Sequence, residues 1–527
     1  MIRKGLKTGL AFCLIGALCA CSVTKEKTDT RNTQEESGVE NSADPDAGGA
    51  SGNGTGNAEV TYEQYLSTVY DETKVCRITA DGSTYQVTGA GATVDKQVAT
   101  ITEAGTYLVT GTMPDGQIHV LAEKGSDVRI VLENADLTCS FGAPIYIENA
   151  GTATITVTEG TRNRICQTAD YVFSGNENEE EQKAAIFSKD DLVINGSGEL
   201  TVEGAYCHGI RSKDTLVVAQ ADCSITSKED GLNCNEDMLV VSGTYRINAG
   251  DDGLHSDLNL TVAGGTIQID GCCEGLEGAV ITVEEGDIRL ISSDDGINAA
   301  SDETNEYYVR IHGGNIYMIV GGDGLDSNGN VEMTGGSVEI YGPTNSGNAS
   351  IDYERNFLMS GGTIIAAGDS GMAQCTSDTS TQPGLMVYLT GGKDAGTTCE
   401  IADSEGNVLI TAVPAKTYKC IYVGSPLLIQ GETYQILFDG EQSCEVTLHQ
   451  INTRITETGQ EVTSFGGMQM GRPGSGGRPG NPGGFGERED HFGGKQDPFG
   501  GMPENYEDMP ENFGDMPEPP GDSTEDR

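Results

Sequence analysis

The sequence predicts an all-β protein whose main body is a parallel β-helix with about 22 residues per coil. Glycines recur at intervals of 21 to 28 residues between Gly209 and Gly371. The segments between them alternate apolar and polar residues and are rich in Val, Ile and Thr, which is typical of short strands. Gly accounts for 74 of the 527 residues and Trp is absent, a composition that suits short strands joined by tight turns.

The recurring glycines mark the predicted coils. They are Gly209, Gly231, Gly253, Gly275, Gly296, Gly324, Gly347 and Gly371. In the first six, the next residue is Ile or Leu and the third residue after the glycine is small, so like side chains are expected to stack from coil to coil. A leucine-rich repeat would show its own consensus, and a propeller blade needs about 40 residues. The 28-residue interval contains the polar segment 300–308, which is expected to loop out.

Composition divides the chain into five segments. They are a signal peptide at 1–21, a polar linker at 22–57, the β-helix at 58–383, a small β-domain at 384–460 and a Gly/Pro/Met-rich acidic tail at 461–527. The linker and tail are too polar to bury a core and are predicted to be disordered. Proline in every copy of the tail repeat forbids a continuous helix.

The N-terminus predicts export. A basic start and an apolar stretch end in LCAC at 18–21, which has the form of a lipoprotein processing site. Cys21 is then the lipidated residue, and the protein is anchored on the outer face of the cytoplasmic membrane. An ordinary secretory signal is the alternative. Twelve further cysteines follow without a CxxC pair; among them Cys399, Cys420 and Cys444 could form a disulfide in the small β-domain.

The charge balance limits the possible partners. With 81 acidic against 31 basic residues, the net charge is −50. Nucleic acid is excluded, because phosphate binding needs clustered Lys and Arg. The expected partners are cations, neutral polymers, or anionic polymers held through a bridging cation, and we expect a monomer.

Acidic residues recur at the predicted turns. Those directly before the repeat glycine are Asp230, Asp252, Glu274, Asp295 and Asp323; those one position earlier are Glu229, Asp251 and Asp294; those beyond the turn are Asp214, Asp237, Asp257 and Asp326. Stacked at about 4.8 Å, like charges repel by about 1 kcal/mol in water and by several at a protein surface. Cations relieve this repulsion, and oxygen-rich, acidic turns favour Ca²⁺. The alternative is a copied Asp-Gly turn without metal.

Several segments resemble a known family. IFSKDDLVINGSGELTVEG (186–204), GIRSKDTLVV (209–218), EDGLNCNEDMLVVSGTYRINAGDDGL (229–254) and VGGDGLDSNGNVEMTGG (320–336) resemble the calcium-binding, carbohydrate-binding β-helix proteins among Gram-positive surface lipoproteins. The resemblance covers about 75–460. It implies a right-handed parallel β-helix that binds Ca²⁺ and polygalacturonate-type plant cell-wall polysaccharide without demonstrated catalysis. By this resemblance Asp230, Asp252, Asp295 and Asp323 are calcium-site turn acids, whereas the Glu274 turn, preceded by Cys272 and Cys273, departs from the pattern.

Three functions follow from these patterns. The first is a non-catalytic, calcium-dependent module that binds acidic polysaccharide. The second is a calcium-dependent polysaccharide lyase, which needs a positioned base beside the cation. The third is a surface spacer or adhesin stiffened by calcium. Four basic residues lie near the first predicted turns: Lys189, Arg211, Lys213 and Lys228. They are the candidate bases of a lyase. In the binding module, the same four residues and His255 are candidate sugar contacts.

Overall fold

The computed structural model describes residues 62–172 and 181–462. The predicted signal peptide 1–21 with Cys21, the predicted linker 22–57, residues 173–180 and the tail residues from 463 onward lie outside the described residues. The fold class is as predicted: the strands wind into a β-solenoid of about 11 turns. An α-helix at Glu63–Leu66 and a 3-10 helix at Glu72–Lys74 precede it. In the described part of the chain, no helix combines the length and apolar character needed to cross a bilayer.

Three sheets with parallel pairing between coils run along the solenoid. The first sheet contains Val98–Ile101, Gln117–Leu121, Ile145–Asn149, Ala184–Ser188, His208–Ser212, Leu232–Cys234, Ile297–Ala299, Leu325–Ser327 and Ile351–Tyr353. The second contains Thr152–Val157, Asp191–Asn195, Leu216–Val218, Asp237–Val240, Tyr308–Ile311, Asn330–Met333 and Asn356–Met359. The third contains Arg162–Gln167, Glu199–Gly204, Asp222–Ser227, Thr244–Asn248, Thr266–Cys272, Asp287–Ser292, Asn315–Ile319, Ser337–Tyr341 and Thr363–Gly368.

Longer strands bend from one sheet into the next. Leu254–Val262 and Leu276–Val283 join the first and second sheets, and Gly105–Met113 and Val128–Cys139 join the second and third. Cys76–Asp81 pairs in parallel with Gly105–Met113 and forms a hairpin with Tyr85–Thr88. Ala92–Asp95 forms a second hairpin with Val98–Ile101.

The core runs inside the solenoid as stacked columns of apolar side chains. The residue after each repeat glycine is buried and pairs with its counterpart on the next coil, as the period predicts; the column is Ile210, Leu232, Leu254, Leu276, Ile297 and Leu325. Because side chains alternate across a strand, the residue two positions after the glycine points outward and the third points inward again. Leu325 pairs with Ile351, so Ser350 rather than Gly347 continues the column of repeat glycines.

The repeat glycines are required by close packing rather than by a left-handed backbone. A Cβ on Gly231 would lie 2.7 Å from the carbonyl oxygen of Gly253 and 2.5 Å from Ile247 Cγ2. Gly209 and Gly253 meet the equivalent atoms of their own neighbouring coils. At Gly209, Gly231 and Gly253 a larger residue would therefore have to displace the adjacent coil.

The last strands of the described residues pair mostly antiparallel. Gly384–Lys393, Tyr418–Gly424 and Asn452–Thr456 extend the solenoid, with Tyr418–Gly424 pairing antiparallel to the last third-sheet strand. A separate four-stranded antiparallel sheet contains Cys399–Ala402, Val408–Ala412, Thr433–Phe438 and Glu441–Thr447. The twelve cysteines of the described residues are all free thiols, including Cys399, Cys420 and Cys444.

Candidate metal and polysaccharide site

The residues directly before the repeat glycines form a vertical column, here called the turn column. Its members are His208, Asp230, Asp252, Glu274, Asp295 and Asp323. One carboxylate oxygen of an acid often accepts the backbone N–H of the next coil. Asp252 N donates to Asp230 Oδ1 at 3.1 Å, Glu274 N to Asp252 Oδ1 at 3.2 Å, and Asp323 N to Asp295 Oδ1 at 2.6 Å. The second oxygens of two of these acids are used by side chains: Asn233 Nδ2 donates to Asp230 Oδ2 at 2.6 Å, and His255 Nδ1 lies 3.0 Å from Asp252 Oδ2.

A second column stands beside the first. It consists of outward-pointing residues two positions after the glycines, here called the outer column: Arg211, Asn233, His255, Glu277, Asn298, Asp326 and Asp352. Its composition changes along the solenoid from a basic residue at Arg211 to carboxylates at Asp326 and Asp352. Candidate ligands from the two columns therefore face each other along the first sheet.

Three acids gather at the C-terminal end of the two columns. Asp295, Asp323 and Asp326 each offer an oxygen within 4.8 Å of the others, and we call them the C-terminal cluster. Burial raises the pKa of Asp295 to about 8 and that of Asp326 to about 6, and neighbouring carboxylates add to both shifts. Burial also raises the pKa of Asp323. In each case burial and the neighbouring carboxylates disfavour the charged form of the carboxyl group, which raises its pKa.

A middle cluster lies nearer the N-terminus and already has an internal counter-charge. Asp252, Glu274 and Glu277 bring oxygens within 4.8 Å of one another. His255 Nδ1 lies 2.7 Å from Glu277 Oε2 and 3.0 Å from Asp252 Oδ2, and its Nε2 lies 3.3 Å from Asp257 Oδ1. Burial opposes protonation, but these carboxylates together hold the pKa of His255 far above its usual value. The imidazolium thus partly balances this cluster.

The pKa values within the middle cluster separate according to contact with His255. Burial raises the pKa of Asp252 to about 8 and that of Glu274 to about 7. Burial acts in the same direction on Glu277, but its hydrogen bonds with His255 and Asp252 leave its pKa below the usual value. The middle cluster therefore carries less negative charge than its three carboxyl groups could supply, because raised pKa values favour protonation of Asp252 and Glu274 and His255 contributes a positive charge.

Two buried amide oxygens in the outer column have no hydrogen-bond partner. They are Asn233 Oδ1 and Asn298 Oδ1, and the side chains are only 6% and 8% exposed. Asn298 Nδ2 donates to Glu274 Oε2 at 2.8 Å, which fixes the amide between the two clusters. Since buried polar atoms are normally paired, the free oxygen of Asn298 is an acceptor that a hydrogen-bond donor or a cation can use.

Gly322 leaves space beside the C-terminal cluster. It stands two positions before a repeat glycine. The residues at this position on successive coils form a third column, here called the rim column: Cys207, Glu229, Asp251, Cys273, Asp294 and Gly322. A Cβ at Gly322 would collide with Asp294 Oδ1 and Asp295 Oδ1. The gap is therefore lined by oxygen atoms.

The remaining acids proposed from the sequence lie around the clusters. Asp251 and Asp294 belong to the rim column, and Asp257 contacts His255. Asp237 Oδ1 accepts from Asn259 Nδ2 at 2.6 Å, and Asp214 N donates to Ser212 Oγ at 3.3 Å. Asp214 and Asp237 border the turn between the first and second sheets and belong to none of the donor clusters found among the described residues.

A cavity of about 530 Å³ opens beside the middle cluster. It is lined by His255, Asp257, Glu277, Asn328 and part of the looped-out segment 300–307. Ser301 Oγ donates to the backbone oxygen of Asp257 at 2.7 Å, which ties the loop to an earlier coil. Tyr307 OH donates to the backbone oxygens of Ser301 and Thr304, which braces the loop from within.

The basic candidates lie on earlier coils than the C-terminal cluster. Lys189 Nζ is 3.9 Å from Glu148 Oε1 and Lys228 Nζ lies 5.8 Å from the ring centre of Tyr206, while Lys213 follows directly after the strand His208–Ser212. Arg211 stands five steps below Asp326 in the outer column, which is about 24 Å at the strand spacing. These cations do not neutralise the C-terminal cluster.

Comparison with known proteins identifies the family. A model described as carbohydrate-binding domain-containing protein matches residues 95–259 and 254–412, more than half of the chain. The chain belongs to this family. A carbohydrate-binding domain-containing protein from Acetivibrio thermocellus is 31% identical over 135 residues, which are 26% of this chain and 47% of that relative. The chain therefore matches about half the length of this curated relative.

A solved structure is also similar. It is a polysaccharide lyase-like protein from C. thermocellum, in a gadolinium derivative, with a TM-score of 0.37 and 24% identity. The match covers 54% of this chain and 96% of the solved chain.

Sequence reasoning missed part of the site in this carbohydrate-binding family member. Asn233, Glu277, Asn298 and Asp352 were not singled out, although His255 and Asp326 of the same column were. The signal was present: residues one and three positions after the glycine are apolar or small, so the position between them must point outward on a strand. The polar residues at that position form the outer column.

Proposed function

We propose that this protein binds acidic plant cell-wall polysaccharide of the polygalacturonate type, and that calcium is required. The observation that carries the proposal is the C-terminal cluster of Asp295, Asp323 and Asp326 beside the unpartnered oxygen of Asn298. Carbohydrate binding as such is the property that names the family. The calcium requirement and the acidic sugar are the finer parts of the proposal.

The donor set of this cluster fits Ca²⁺. Calcium takes six to eight oxygen ligands, including carboxylates and amide carbonyls, in flexible geometry. Asp295, Asp323, Asp326 and the Asn298 amide supply both oxygen types, and Gly322 leaves room beside them. These four residues would hold the ion, which when bound supplies positive charge to the carboxylates of an acidic polymer.

The overall charge supports a bridging role for the cation. A chain of net charge −50 repels a polyanion unless the charge at the contact is inverted. The adjacent cavity adds acceptors for sugar hydroxyls, since Asp257 and Glu277 line it. A polymer carrying both carboxylates and hydroxyls matches this pairing of a cation site with a polar cavity.

We also propose that the protein acts outside the cell, lipid-anchored through Cys21. The support is the LCAC sequence at 18–21 behind an apolar stretch. The polar linker 22–57 would then separate the β-helix from the membrane.

The lyase alternative needs a base next to the metal-bound uronate. A general base must come within hydrogen-bonding distance of the proton that it removes. Arg211 lies about 24 Å along the column from Asp326 by the strand spacing. This separation favours binding without cleavage at the C-terminal cluster.

One experiment separates the three functions. The purified full-length chain is mixed with polygalacturonate in calcium and in chelator, while absorbance by unsaturated uronate products is recorded. Calcium-dependent retention with flat absorbance is the expected result. Rising absorbance would establish a lyase instead, and equal absence of binding in both conditions would leave the spacer or adhesin.

A further inference from the structure

On the coil of Gly209, the first coil of the turn and rim columns, the potential metal ligands differ from those of the later coils. The later coils mostly present carboxylates at these two positions, whereas this coil presents the Cys207 thiol and the His208 imidazole. Glu229 of the next coil lies against them, and ligand atoms of the three residues lie within 4.8 Å of one another. We propose that Cys207, His208 and Glu229 bind a borderline transition metal of the Zn²⁺ class, at a site distinct from the calcium clusters.

The distances between the donor atoms suit such an ion. Cys207 Sγ donates to Glu229 Oε2 at 2.8 Å, and His208 Nε2 lies 3.4 Å from the same oxygen. Bonds of about 2.0–2.3 Å in a tetrahedral zinc site place neighbouring ligand atoms about 3.5 Å apart. Thiolate, imidazole and carboxylate together favour zinc-like ions, whereas Ca²⁺ prefers oxygen ligands alone.

The environment of His208 prepares it as a ligand. His208 Nδ1 lies 3.3 Å from Asp230 Oδ2 and also 3.3 Å from the backbone nitrogen of Asp230, and the Asp230 carboxylate is itself held by Asn233 Nδ2 at 2.6 Å. Because an arginine N–H can only donate, the contact of Arg211 Nη1 with Nε2 assigns the proton to Nδ1, where the Asp230 carboxylate can accept it. A carboxylate that accepts one imidazole N–H leaves the other nitrogen as the metal ligand. Asp230 thereby orients His208 Nε2 toward Glu229.

Arg211 occupies the place that the metal would take at His208. Its Nη1 lies 2.9 Å from His208 Nε2, while Nη2 donates to Asn235 Oδ1 at 3.2 Å. The bond to Asn235 gives the guanidinium an anchor that does not involve His208. Metal binding replaces the Arg211–His208 contact, and the Cys207 S–H bond breaks as the metal–sulfur bond forms. Its proton leaves to solvent past Glu229, whose side chain is 39% exposed.

Cys273 provides a matched control within the same protein. It stands in the rim column three coils beyond Cys207, so its thiol has the same place relative to its repeat glycine. The residue that follows it is Glu274 rather than a histidine. The control therefore differs from Cys207 by lacking the imidazole.

The test uses Co²⁺ as a spectroscopic substitute for zinc. The reduced, full-length chain is titrated with Co²⁺ in excess Ca²⁺, which keeps the carboxylate clusters occupied. We expect a near-ultraviolet thiolate-to-cobalt charge-transfer band that saturates at one equivalent and disappears when Zn²⁺ is added. Cys207→Ser should abolish the band, His208→Gln should weaken binding by at least about tenfold, and Cys273→Ser should leave it unchanged.

Absence of the band in the wild-type chain, or its survival in Cys207→Ser, overturns the proposal. Glu229→Gln gives an independent test at a half-exposed side chain, should the buried thiol prove necessary for folding. It should also weaken Co²⁺ binding by at least about tenfold, and unchanged affinity contradicts the site. Arg211→Gln should tighten binding because it removes the competitor at His208. Calcium-dependent polysaccharide binding, measured on the same variants, reports separately on the proposed function.

Discussion

At the scale of single residues, the site is defined by groups that are unfavourable without a cation. Asn298 carries a buried oxygen with no partner, and such an unsatisfied group costs about 1–3 kcal/mol. Around it stand carboxyls whose raised pKa values record burial and mutual repulsion. A divalent cation bound as proposed would satisfy the amide and the carboxylates together, so stability and cation binding should be coupled.

Replacement of one cluster carboxylate should weaken this coupling between stability and cation binding. Asp326→Asn removes a repelling charge, so the variant should melt at a higher temperature than the wild type in chelator at neutral pH. It should also show a smaller increase in melting temperature when Ca²⁺ is added, because one charged ligand is lost. Asp237→Asn is the control, since Asp237 lies outside the clusters. Equal calcium responses in wild type and Asp326→Asn would contradict the assignment.

The pH dependence of the calcium-free protein follows from Asp295. Its pKa is about 8 in the folded protein and about 3.9 in an unfolded chain. The folded form therefore holds a proton that the unfolded form has lost, and stability should fall as pH rises from about 4 to about 8. Melting curves in chelator should show this decline, and Asp295→Asn should reduce it. A wild-type stability that rises over this range would contradict the prediction for Asp295.

At the scale of elements, the sequence predicts the coils better than the site between them. The glycine period and the apolar residue after each glycine are enough to place the first sheet and the turn column. The sequence period places Gly347 in the glycine column, but the structure places Ser350 there. This could not be predicted, because the loop before Ile351 differs in length from those of earlier coils while Ile351 keeps its place in the buried apolar column. The contact of Cys207 with Glu229 depends on residues one coil apart, and no short motif reveals it.

The looped-out segment 300–307 gives the cavity one of its walls. Ser301→Ala removes the hydrogen bond to the Asp257 backbone, a contact worth about 1 kcal/mol. We expect about fivefold weaker binding of polygalacturonate, with calcium affinity unchanged because the clusters are intact. Titration calorimetry with each ligand measures both quantities. A loss of calcium affinity of the same size would show that the loop supports the metal site rather than the polymer.

At the scale of the whole molecule, charge decides which partners can approach. The chain carries a net charge of −50, and salt screens such a field over a Debye length of about 10 Å at 0.1 M. Screening reduces repulsion from a polyanion but provides no bridge between carboxylates. A divalent cation held in the C-terminal cluster, as we propose, would do both.

Sodium chloride should therefore fail to replace calcium. At matched ionic strength, polygalacturonate should remain unbound in sodium chloride with chelator and become bound when Ca²⁺ is supplied. Mg²⁺ should be less effective, because it demands octahedral geometry and retains its waters. Binding in sodium chloride equal to that in calcium would mean that screening alone accounts for the interaction.

The most direct test of calcium-dependent polysaccharide binding compares two variants that remove the same charge. Asp326→Asn alters the C-terminal cluster, and Asp237→Asn alters an acid outside the donor clusters. Retention on immobilised polygalacturonate in Ca²⁺ should match the wild type for Asp237→Asn and fall by at least about tenfold for Asp326→Asn, since ligand charge sets calcium affinity. Equal retention of the two variants would contradict the account.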